Sequence, residues 1–206
     1  MRELDRIRAL YGIVDAGAEK SLDELLDAYL AGGAKFIQLR MKGATALRVV
    51  EYGQQAVQRC HAAGAKLLVN DRPDIAAAIG ADGVHLGQDD VPVACARAML
   101  PHGIIGRSTH DLRQLHTALG EGVDYVAFGP VFHTRSKVGA LPARGIPELA
   151  AAVKASSVPV VAIGGISIEN IRQVIGAGAA AVATISAVSG AWQPKDAVRS
   201  LMRVFK

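Results

Sequence analysis

Acidic residues follow two short apolar runs of this chain, each at the point where the run ends. Asp71 comes directly after Lys66–Asn70, and Asp89 and Asp90 come shortly after Gly83–Leu86. If both runs are strands of one sheet, their carboxylates are delivered to a common rim. Mg²⁺ is usually held by one or two carboxylates and keeps waters beside a substrate phosphate. The pattern therefore predicts a magnesium site, although a turn or helix-cap role remains open for each acid.

Basic and amide side chains occupy comparable places after other apolar runs. Gln38, Arg40 and Lys42 follow the second apolar run, and Lys137 lies on a long loop after the sixth. Acids for a metal and bases for phosphates at strand ends indicate chemistry on a phosphorylated or diphosphorylated substrate. Lys137 could move onto a diphosphate as a compact point charge, or it could be an ordinary solvated lysine.

Glycine-rich and hydroxyl-bearing segments follow the last two apolar runs. Ile163–Ser167 contains two adjacent glycines and precedes a helical pattern over Ile168–Gly176, while Ala183–Ser186 ends the final run. Exposed backbone N–H groups beside a helix N-terminus favour an anion. We therefore predict a phosphate site here, with a simple tight turn as the alternative. Ser108 is a further candidate for holding an anion.

The histidines and the cap residues receive simpler interpretations. His133, on the loop after the sixth run, is the histidine to consider as an acid or base, whereas His85 lies within a predicted strand and is interpreted as structural. Asp111 is predicted to be a helix N-cap, and Ser21 with Glu24 forms the sequence signature of a capping box.

These candidate residues have to be positioned by a repeating unit of apolar run, loop and amphipathic helix. Such units recur roughly every 25 residues, which predicts a small α/β protein, a single-domain (β/α)₈ TIM barrel over residues 1–206. A doubly wound open sheet is the alternative, but no GxGxxG segment opens the first helix. The predicted strands are Tyr11–Asp15, Lys35–Leu39, Lys66–Asn70, Gly83–Leu86, Gly103–Arg107, Tyr125–Phe128, Val160–Ile163 and Ala181–Thr184.

Composition restricts the setting of the protein. The chain has 206 residues, is 50% hydrophobic and contains only Cys60 and Cys95, far apart, so a cytoplasmic protein without disulfides or zinc is expected. The net charge of +4 is spread along the chain and aromatic residues make up 4%, which argues against a nucleic-acid partner. Apolar stretches are shorter than the about 20 residues needed to cross a membrane. A homo-oligomer remains open.

Taken in order, the segments resemble the thiamine-phosphate synthase family, which also contains thiazole tautomerases. The resemblance extends from Tyr11 to Pro194. Its motifs are Gln38–Lys42, Asn70–Arg72, Gly83–Asp90, Gly106–Thr109, Gly129–Phe132, Thr134–Lys137, Ile163–Gly165 and Ile185–Ser186. A synthase of this kind joins an aminopyrimidine diphosphate to a thiazole phosphate, with or without a carboxylate, and releases pyrophosphate.

The resemblance implies a role for each matching residue. Asp71 and Asp90 would ligate Mg²⁺, and Arg40, Lys42 and Lys137 would act on the leaving diphosphate. The pyrimidine diphosphate would be held by Gln38, Leu39, Arg40, Met41, Lys42, Asn70, Ser108 and Lys137, and the thiazole phosphate by Thr134, Arg135, Ser136, Gly165, Ile185 and Ser186. Ionisation of the diphosphate would leave a cation delocalised over the aminopyrimidine, so the protein needs charge neutralisation and positioning rather than a nucleophile.

Two departures from the family pattern bear on the alternatives. Ser136 replaces a threonine but keeps a hydroxyl. Pro130 stands where the tautomerases carry their catalytic histidine, which favours the synthase, while His133 keeps the tautomerase open as an alternative. A non-catalytic barrel that binds phosphate ligands is the second alternative, but it has no need for the acids and the diphosphate lysines together.

Overall fold

Eight parallel strands follow one another around a closed barrel, and the last strand pairs with the first. The computed structural model describes residues 9–134 and 141–205. The strands are β1 (Ala9–Asp15), β2 (Phe36–Arg40), β3 (Lys66–Asn70), β4 (Gly83–Leu86), β5 (Ile104–Thr109), β6 (Tyr125–Phe128), β7 (Val160–Ile163) and β8 (Ala181–Thr184). The register pairs Asp15 with Arg40 and Gly12 with Thr184, which closes the barrel on both sides of β1. The predicted (β/α)₈ barrel is confirmed.

Helices connect successive strands and pack outside the barrel. They are α1 (Leu22–Gly32), α2 (Ala46–Ala62), α3 (Pro73–Ile79), α4 (Val93–Met99), α5 (Leu112–Gly120), α6 (Gly145–Ala155), α7 (Ile171–Gly176), α8 (Ser186–Ser189) and α9 (Pro194–Arg203). Within the described residues, no helix has the length and apolar character needed to cross a membrane.

Local sequence signals explain where several helices begin and end. The Ser21 hydroxyl accepts from the backbone N–H of Glu24, whose carboxylate accepts from the backbone N–H of Ser21, so the predicted capping box is present. The Asp111 carboxylate likewise accepts from the N–H of Gln114 over 2.8 Å, which confirms its predicted cap role. Gly33 ends α1 at φ +93°, a conformation that glycine adopts without steric cost.

The core has two layers because successive side chains of each strand point to opposite faces. Along β1, Leu10 and Val14 pack outward against the helices, while Tyr11 and Ile13 point into the barrel. The interior layer also contains Tyr125 of β6. Tyrosines are unusual in such a position, because a buried phenol needs a hydrogen-bond partner.

The strand bounds agree closely with the sequence. Five strands coincide with the predicted ranges: Lys66–Asn70, Gly83–Leu86, Tyr125–Phe128, Val160–Ile163 and Ala181–Thr184. The second and fifth strands extend further toward their carboxyl ends than predicted, so Arg40 and Ser108 lie within strands rather than after them. The strand therefore fixes the backbone of both residues.

Candidate active site

A cavity of about 270 Å³ opens at the carboxyl ends of the strands. The predicted site residues that line it are Gln38, Arg40, Lys42, Asn70, Asp71, Asp90, Ser108, Thr134, Gly165, Ile185 and Ser186. Leu39 and Met41 do not line it, because they alternate with their neighbours and pack into the outer core. Arg135, Ser136 and Lys137 lie outside the described residues.

Asp71 and Asp90 form an acidic pair at the ends of β3 and β4. Asp71 adopts φ +64°, the left-handed region that non-glycine residues rarely occupy, and its N–H donates to the carbonyl of His85 over 2.8 Å. Asp90 accepts from the N–H of Gly87 over 2.5 Å. Strained backbone of this kind persists only where surrounding contacts over-determine it, and it concentrates at functional sites.

The two carboxyls share a hydrogen bond, and this separates their pKa values. Burial and then the Asp71 carboxylate raise the pKa of Asp90 above its usual value, against the Gly87 N–H, which lowers it. Burial alone would raise the pKa of Asp71, but hydrogen bonds from Asp90 and Lys42 outweigh it and lower that pKa. The opposite directions of the two shifts are those expected of two carboxyls close enough to repel each other when both are ionised.

The donor set of the pair fits a hard divalent cation. Two close carboxylates offer charged oxygen ligands, and Mg²⁺ takes oxygen ligands together with water and substrate phosphate. Among residues 9–134 and 141–205, no group of three or more His, Cys, Asp or Glu side chains is arranged around one point. Asp71 and Asp90 would therefore supply only part of the coordination shell.

Two basic side chains beside the pair are held by carboxylates. The Lys42 ammonium lies 3.0 Å from Asp71, and its side chain is half exposed. Arg40 donates to Asp15 over 2.6 Å, and Asp15 is 4% exposed at the end of β1. The sequence analysis missed Asp15 as a site residue. The available signal was the same one that indicated Asp71, a carboxylate at the end of an apolar strand.

The glycine pair after β7 packs against the segment after β6. Phe132 donates to the Gly164 carbonyl over 3.0 Å, and a Cβ on Gly165 would lie 2.4 Å from the carbonyl oxygen of His133. Gly164 and Gly165 both have positive φ, at +98° and +63°. Only glycine permits this conformation and this close approach together.

The helix predicted to begin at Ile168 begins at Ile171 instead. The Asn170 side chain accepts from the N–H of Ser167 and donates to the Gly165 carbonyl, which builds a turn before the helix. The predicted start of this helix is therefore wrong, because the turn intervenes, while the support of a phosphate by its N-terminus stays a prediction. On the neighbouring strand, the buried hydroxyl of Thr184 has no hydrogen-bond partner among the residues that the structure describes.

The structure assigns the histidines differently from the sequence analysis. His85 and His110 line the cavity, whereas His133 is exposed and is not part of the lining. The interpretation of His85 as merely structural was incomplete. Val84 and Leu86 belong to the outer core, so strand alternation turns His85 inward. This alternation could have been read from the sequence.

Fold and cavity together define a (β/α)₈ barrel whose cavity, at the carboxyl ends of the strands, carries an acidic pair and two basic side chains. The family model described as thiamine monophosphate synthase matches residues 10–188. The chain is 44% identical over 202 residues to a thiamine-phosphate synthase of Anaeromyxobacter dehalogenans, covering 98% of this chain and 89% of that one. A thiamine-phosphate synthase of a Roseiflexus species is 43% identical over 198 residues, covering 95% and 84%. The chain belongs to the thiamine monophosphate synthase family, a family of transferases.

Solved structures agree with this assignment. Thiamine phosphate pyrophosphorylase from Pyrococcus furiosus superimposes with a TM-score of 0.90 at 35% identity, covering 98% of this chain and 97% of that one. A 3-hexulose-6-phosphate synthase structure superimposes with a TM-score of 0.69 at 18% identity, covering 95% and 99%. At that identity the second similarity shows the barrel fold alone.

Proposed function

We propose that the chain joins an aminopyrimidine diphosphate to a thiazole phosphate to give thiamine phosphate and pyrophosphate. The observation that carries this proposal is the acidic pair Asp71 and Asp90, with the Lys42 ammonium 3.0 Å from Asp71, in the same cavity as Arg40 and the glycine turn at Gly165. A diphosphate leaving group needs cations at one end of such a cavity. A second phosphate needs backbone donors elsewhere in it.

The pyrimidine diphosphate would lie against the strands β2 to β5. Arg40 is pre-oriented by the buried Asp15, and Lys42 is close enough to Asp71 to reach an anion at the acidic pair. Both side chains would stabilise the negative charge that grows on the departing pyrophosphate. Asn70 and Ser108 line the same part of the cavity and would orient the substrate.

Asp71 and Asp90 would hold Mg²⁺, which when bound neutralises the diphosphate and stabilises its departure. Because the pKa of Asp90 is raised, any proton that this carboxyl carries at lower pH would be released to solvent as the cation enters. The need for Mg²⁺ is part of the proposal. It is supported by the chemistry of the two carboxylates and by the family assignment.

The thiazole phosphate would lie against the segments that follow β6 to β8. Thr134, Gly165, Ile185 and Ser186 line this part of the cavity, and Ile185 and Ser186 begin α8. Their role would be to place the thiazole nitrogen in line with the pyrimidine cation. The roles of Arg135, Ser136 and Lys137 remain predictions. The cytoplasmic location and the single domain over residues 1–206 also remain predictions from composition and pattern, and a homo-oligomer remains open.

The tautomerase alternative is less well supported. It requires a basic side chain after Gly129, where this chain has Pro130, and His133 lies outside the cavity lining. The non-catalytic alternative does not account for Arg40, Lys42 and the acidic pair being gathered at one end of the cavity.

The deciding experiment mixes the purified protein with both substrates and Mg²⁺ and measures thiamine phosphate and pyrophosphate. Equal amounts of the two products, lost when either substrate or Mg²⁺ is omitted, support the proposal. Isomerisation of the thiazole carboxylate phosphate without the pyrimidine would indicate a tautomerase. Binding of both ligands without any product would indicate a non-catalytic barrel.

A further inference from the structure

A chain of hydrogen bonds crosses the barrel interior between two residues of the proposed pyrimidine site. Gln38 Nε2 donates to the Tyr11 hydroxyl over 2.9 Å, and the Tyr11 and Tyr125 hydroxyls are 2.9 Å apart. The Tyr125 hydroxyl lies 2.7 Å from His85 Nδ1, and His85 Nε2 lies 2.9 Å from the Ser108 hydroxyl. We call these five side chains the tyrosine relay.

The middle of the relay is rigid and shielded from water. Tyr11 is 2% exposed, Tyr125 is 1% exposed and His85 is 7% exposed. The Tyr125 ring stacks on His85 and meets Tyr11 edge to face. A Cβ on Gly106 would lie 2.0 Å from Tyr125 Cζ, so the position of the Tyr125 ring depends on the absence of a side chain at Gly106.

The two phenols of the relay are protonated near neutral pH. Burial raises the pKa of Tyr11 to about 12 and raises the pKa of Tyr125 well above its usual value. Each phenol therefore has one hydrogen to donate. With His85 as the neutral imidazole, which has one donor and one acceptor nitrogen, the relay runs in a single direction.

The amide of Gln38 sets that direction. Because its Nε2 donates to Tyr11, the hydrogen of Tyr11 is directed to Tyr125, and the hydrogen of Tyr125 to His85 Nδ1. His85 then carries its proton on Nε2 and donates to Ser108. The Ser108 hydroxyl has its own hydrogen left for a ligand, and the Gln38 amide has its carbonyl oxygen, Oε1.

We propose that the tyrosine relay couples the two ends of the pyrimidine site. Gln38 then presents a hydrogen-bond acceptor to the ligand whenever Ser108 presents a hydrogen-bond donor to it. This inference rests on the proposed function and assigns Tyr11, Tyr125 and His85 as positioning residues that determine specificity. An exocyclic amino group donates to Gln38 Oε1, while a ring nitrogen or a phosphate oxygen accepts from Ser108. Every residue of the relay is then satisfied.

An oxo group in place of the amino group forces the opposite arrangement. It presents an acceptor to Gln38, whose amide must turn so that its N–H₂ faces the ligand and Oε1 accepts from Tyr11. Each hydrogen of the relay then reverses, and Ser108 donates to His85 rather than to the ligand. A site of buried, mutually dependent hydrogen bonds discriminates strongly against an analogue that leaves them unpaired.

The test compares the affinities of the aminopyrimidine diphosphate and its oxo analogue, measured by calorimetry with Mg²⁺ and without the thiazole substrate. The wild type should prefer the amino compound. Tyr125→Phe, which deletes one oxygen from the middle of the relay, should reduce that preference about fivefold, the equivalent of one hydrogen bond. Tyr11→Phe should do the same. An unchanged preference in both variants overturns the proposal.

Tyr29→Phe is the matched control, because Tyr29 is equally buried but donates to the Thr184 carbonyl outside the relay. The preference of this variant for the amino over the oxo compound should equal that of the wild type. If the preference falls as much as in Tyr125→Phe, the effect comes from general changes in core packing and not from the relay.

A second measurement determines the direction of the relay, through the tautomer of His85, in the absence of substrate. Nitrogen NMR of the full chain, with the His85 signals assigned through His85→Asn, should show the neutral Nε2–H tautomer, and Tyr125→Phe should change the Nδ1 signal. The Nδ1–H tautomer overturns the proposed direction. If the protein makes no thiamine phosphate and binds neither pyrimidine, the proposed function fails, while the tautomer still decides the relay.

Discussion

The Arg40 guanidinium donates to the Asp15 carboxylate over 2.6 Å, at the place where β1 and β2 end side by side. The other oxygen of Asp15 accepts from the N–H of Gly17 over 2.9 Å. A buried carboxylate with both oxygens engaged holds the guanidinium in one orientation before substrate arrives. Such preorganisation lowers the entropy cost of binding a diphosphate.

Asp15→Asn should therefore weaken binding of the pyrimidine diphosphate about tenfold, because an amide holds Arg40 less firmly and leaves its charge unpaired. The measurement is the substrate dissociation constant by calorimetry. Asp74→Asn is the control, since Asp74 pairs with Arg72 on the surface. Equal losses in the two variants would mean that the effect is not specific to Arg40.

The acidic pair leads to a prediction about metal dependence. Asp71→Asn and Asp90→Asn should each raise the Mg²⁺ concentration needed for half-maximal activity by at least about tenfold, because each removes one of two charged oxygen ligands. Asp89→Asn serves as the control, since Asp89 lies on the same loop but is exposed. Retention of wild-type turnover at limiting Mg²⁺ by both variants would refute the metal assignment.

The affinity for Mg²⁺ should depend on pH through Asp90. The pKa of Asp90 is raised above 3.8, so the carboxyl takes up its proton at a higher pH than an ordinary aspartate. Because the metal requires the ionised form, affinity should fall as pH falls through this raised pKa and level off above it. Calorimetry in buffers of different ionisation enthalpy should show proton release only in the lower range. Proton release that persists unchanged in Asp90→Asn would point to another group.

In the absence of metal, the raised pKa of Asp90 also makes the folding stability depend on pH. A carboxyl whose pKa is raised by folding stabilises the native state below its unfolded pKa, and this contribution is lost as pH rises through the folded value. Asp71 acts in the opposite sense, because its pKa is lowered: its contribution is lost as pH falls through its folded value. The two effects therefore partly cancel in the metal-free protein.

The glycine turn provides a prediction with a close control. Gly165→Ala places a methyl group 2.4 Å from the His133 carbonyl oxygen and 2.8 Å from Phe132 Cβ. The added group therefore meets the protein's own backbone rather than open cavity. We expect the segment after β6 to shift, raising the Michaelis constant for thiazole phosphate more than that for the pyrimidine.

Gly80→Ala separates this displacement from backbone strain. Gly80 has φ +70°, close to the +63° of Gly165, but a Cβ there meets nothing within 4 Å. Both variants should lose about 1 kcal/mol of folding free energy from the positive φ. Only Gly165→Ala should change the kinetics. A kinetic defect of similar size in Gly80→Ala would attribute the effect to stability alone.

The periodicity of the sequence was sufficient to predict the barrel fold, because each buried parallel strand is a nearly continuous apolar run. It also placed Asp71, Asp90 and Arg40 at one end, since every parallel strand delivers its carboxyl terminus to the same rim. The start of α7 was not predictable from periodicity. There the Asn170 side chain competes with the helix for backbone groups.

The tyrosine relay could not be predicted from the sequence, for a different reason. Its members come from five strands and meet only because the barrel closes: Tyr11 from β1, Gln38 from β2, His85 from β4, Ser108 from β5 and Tyr125 from β6. The inward direction of each could be inferred from alternation along its strand. Which phenol reaches which nitrogen depends on the shear of the barrel and on the space left by Gly106.

The succession of strands around the barrel also follows the succession of residues along the chain. The described residues of the proposed pyrimidine side, together with the whole tyrosine relay, fall within residues 11–125, and those of the proposed thiazole side fall within residues 134–186. A recombination point just after β6 would therefore exchange the thiazole side between relatives and leave the relay intact. Lys137, which the resemblance assigns to the diphosphate, would move with the exchanged segment.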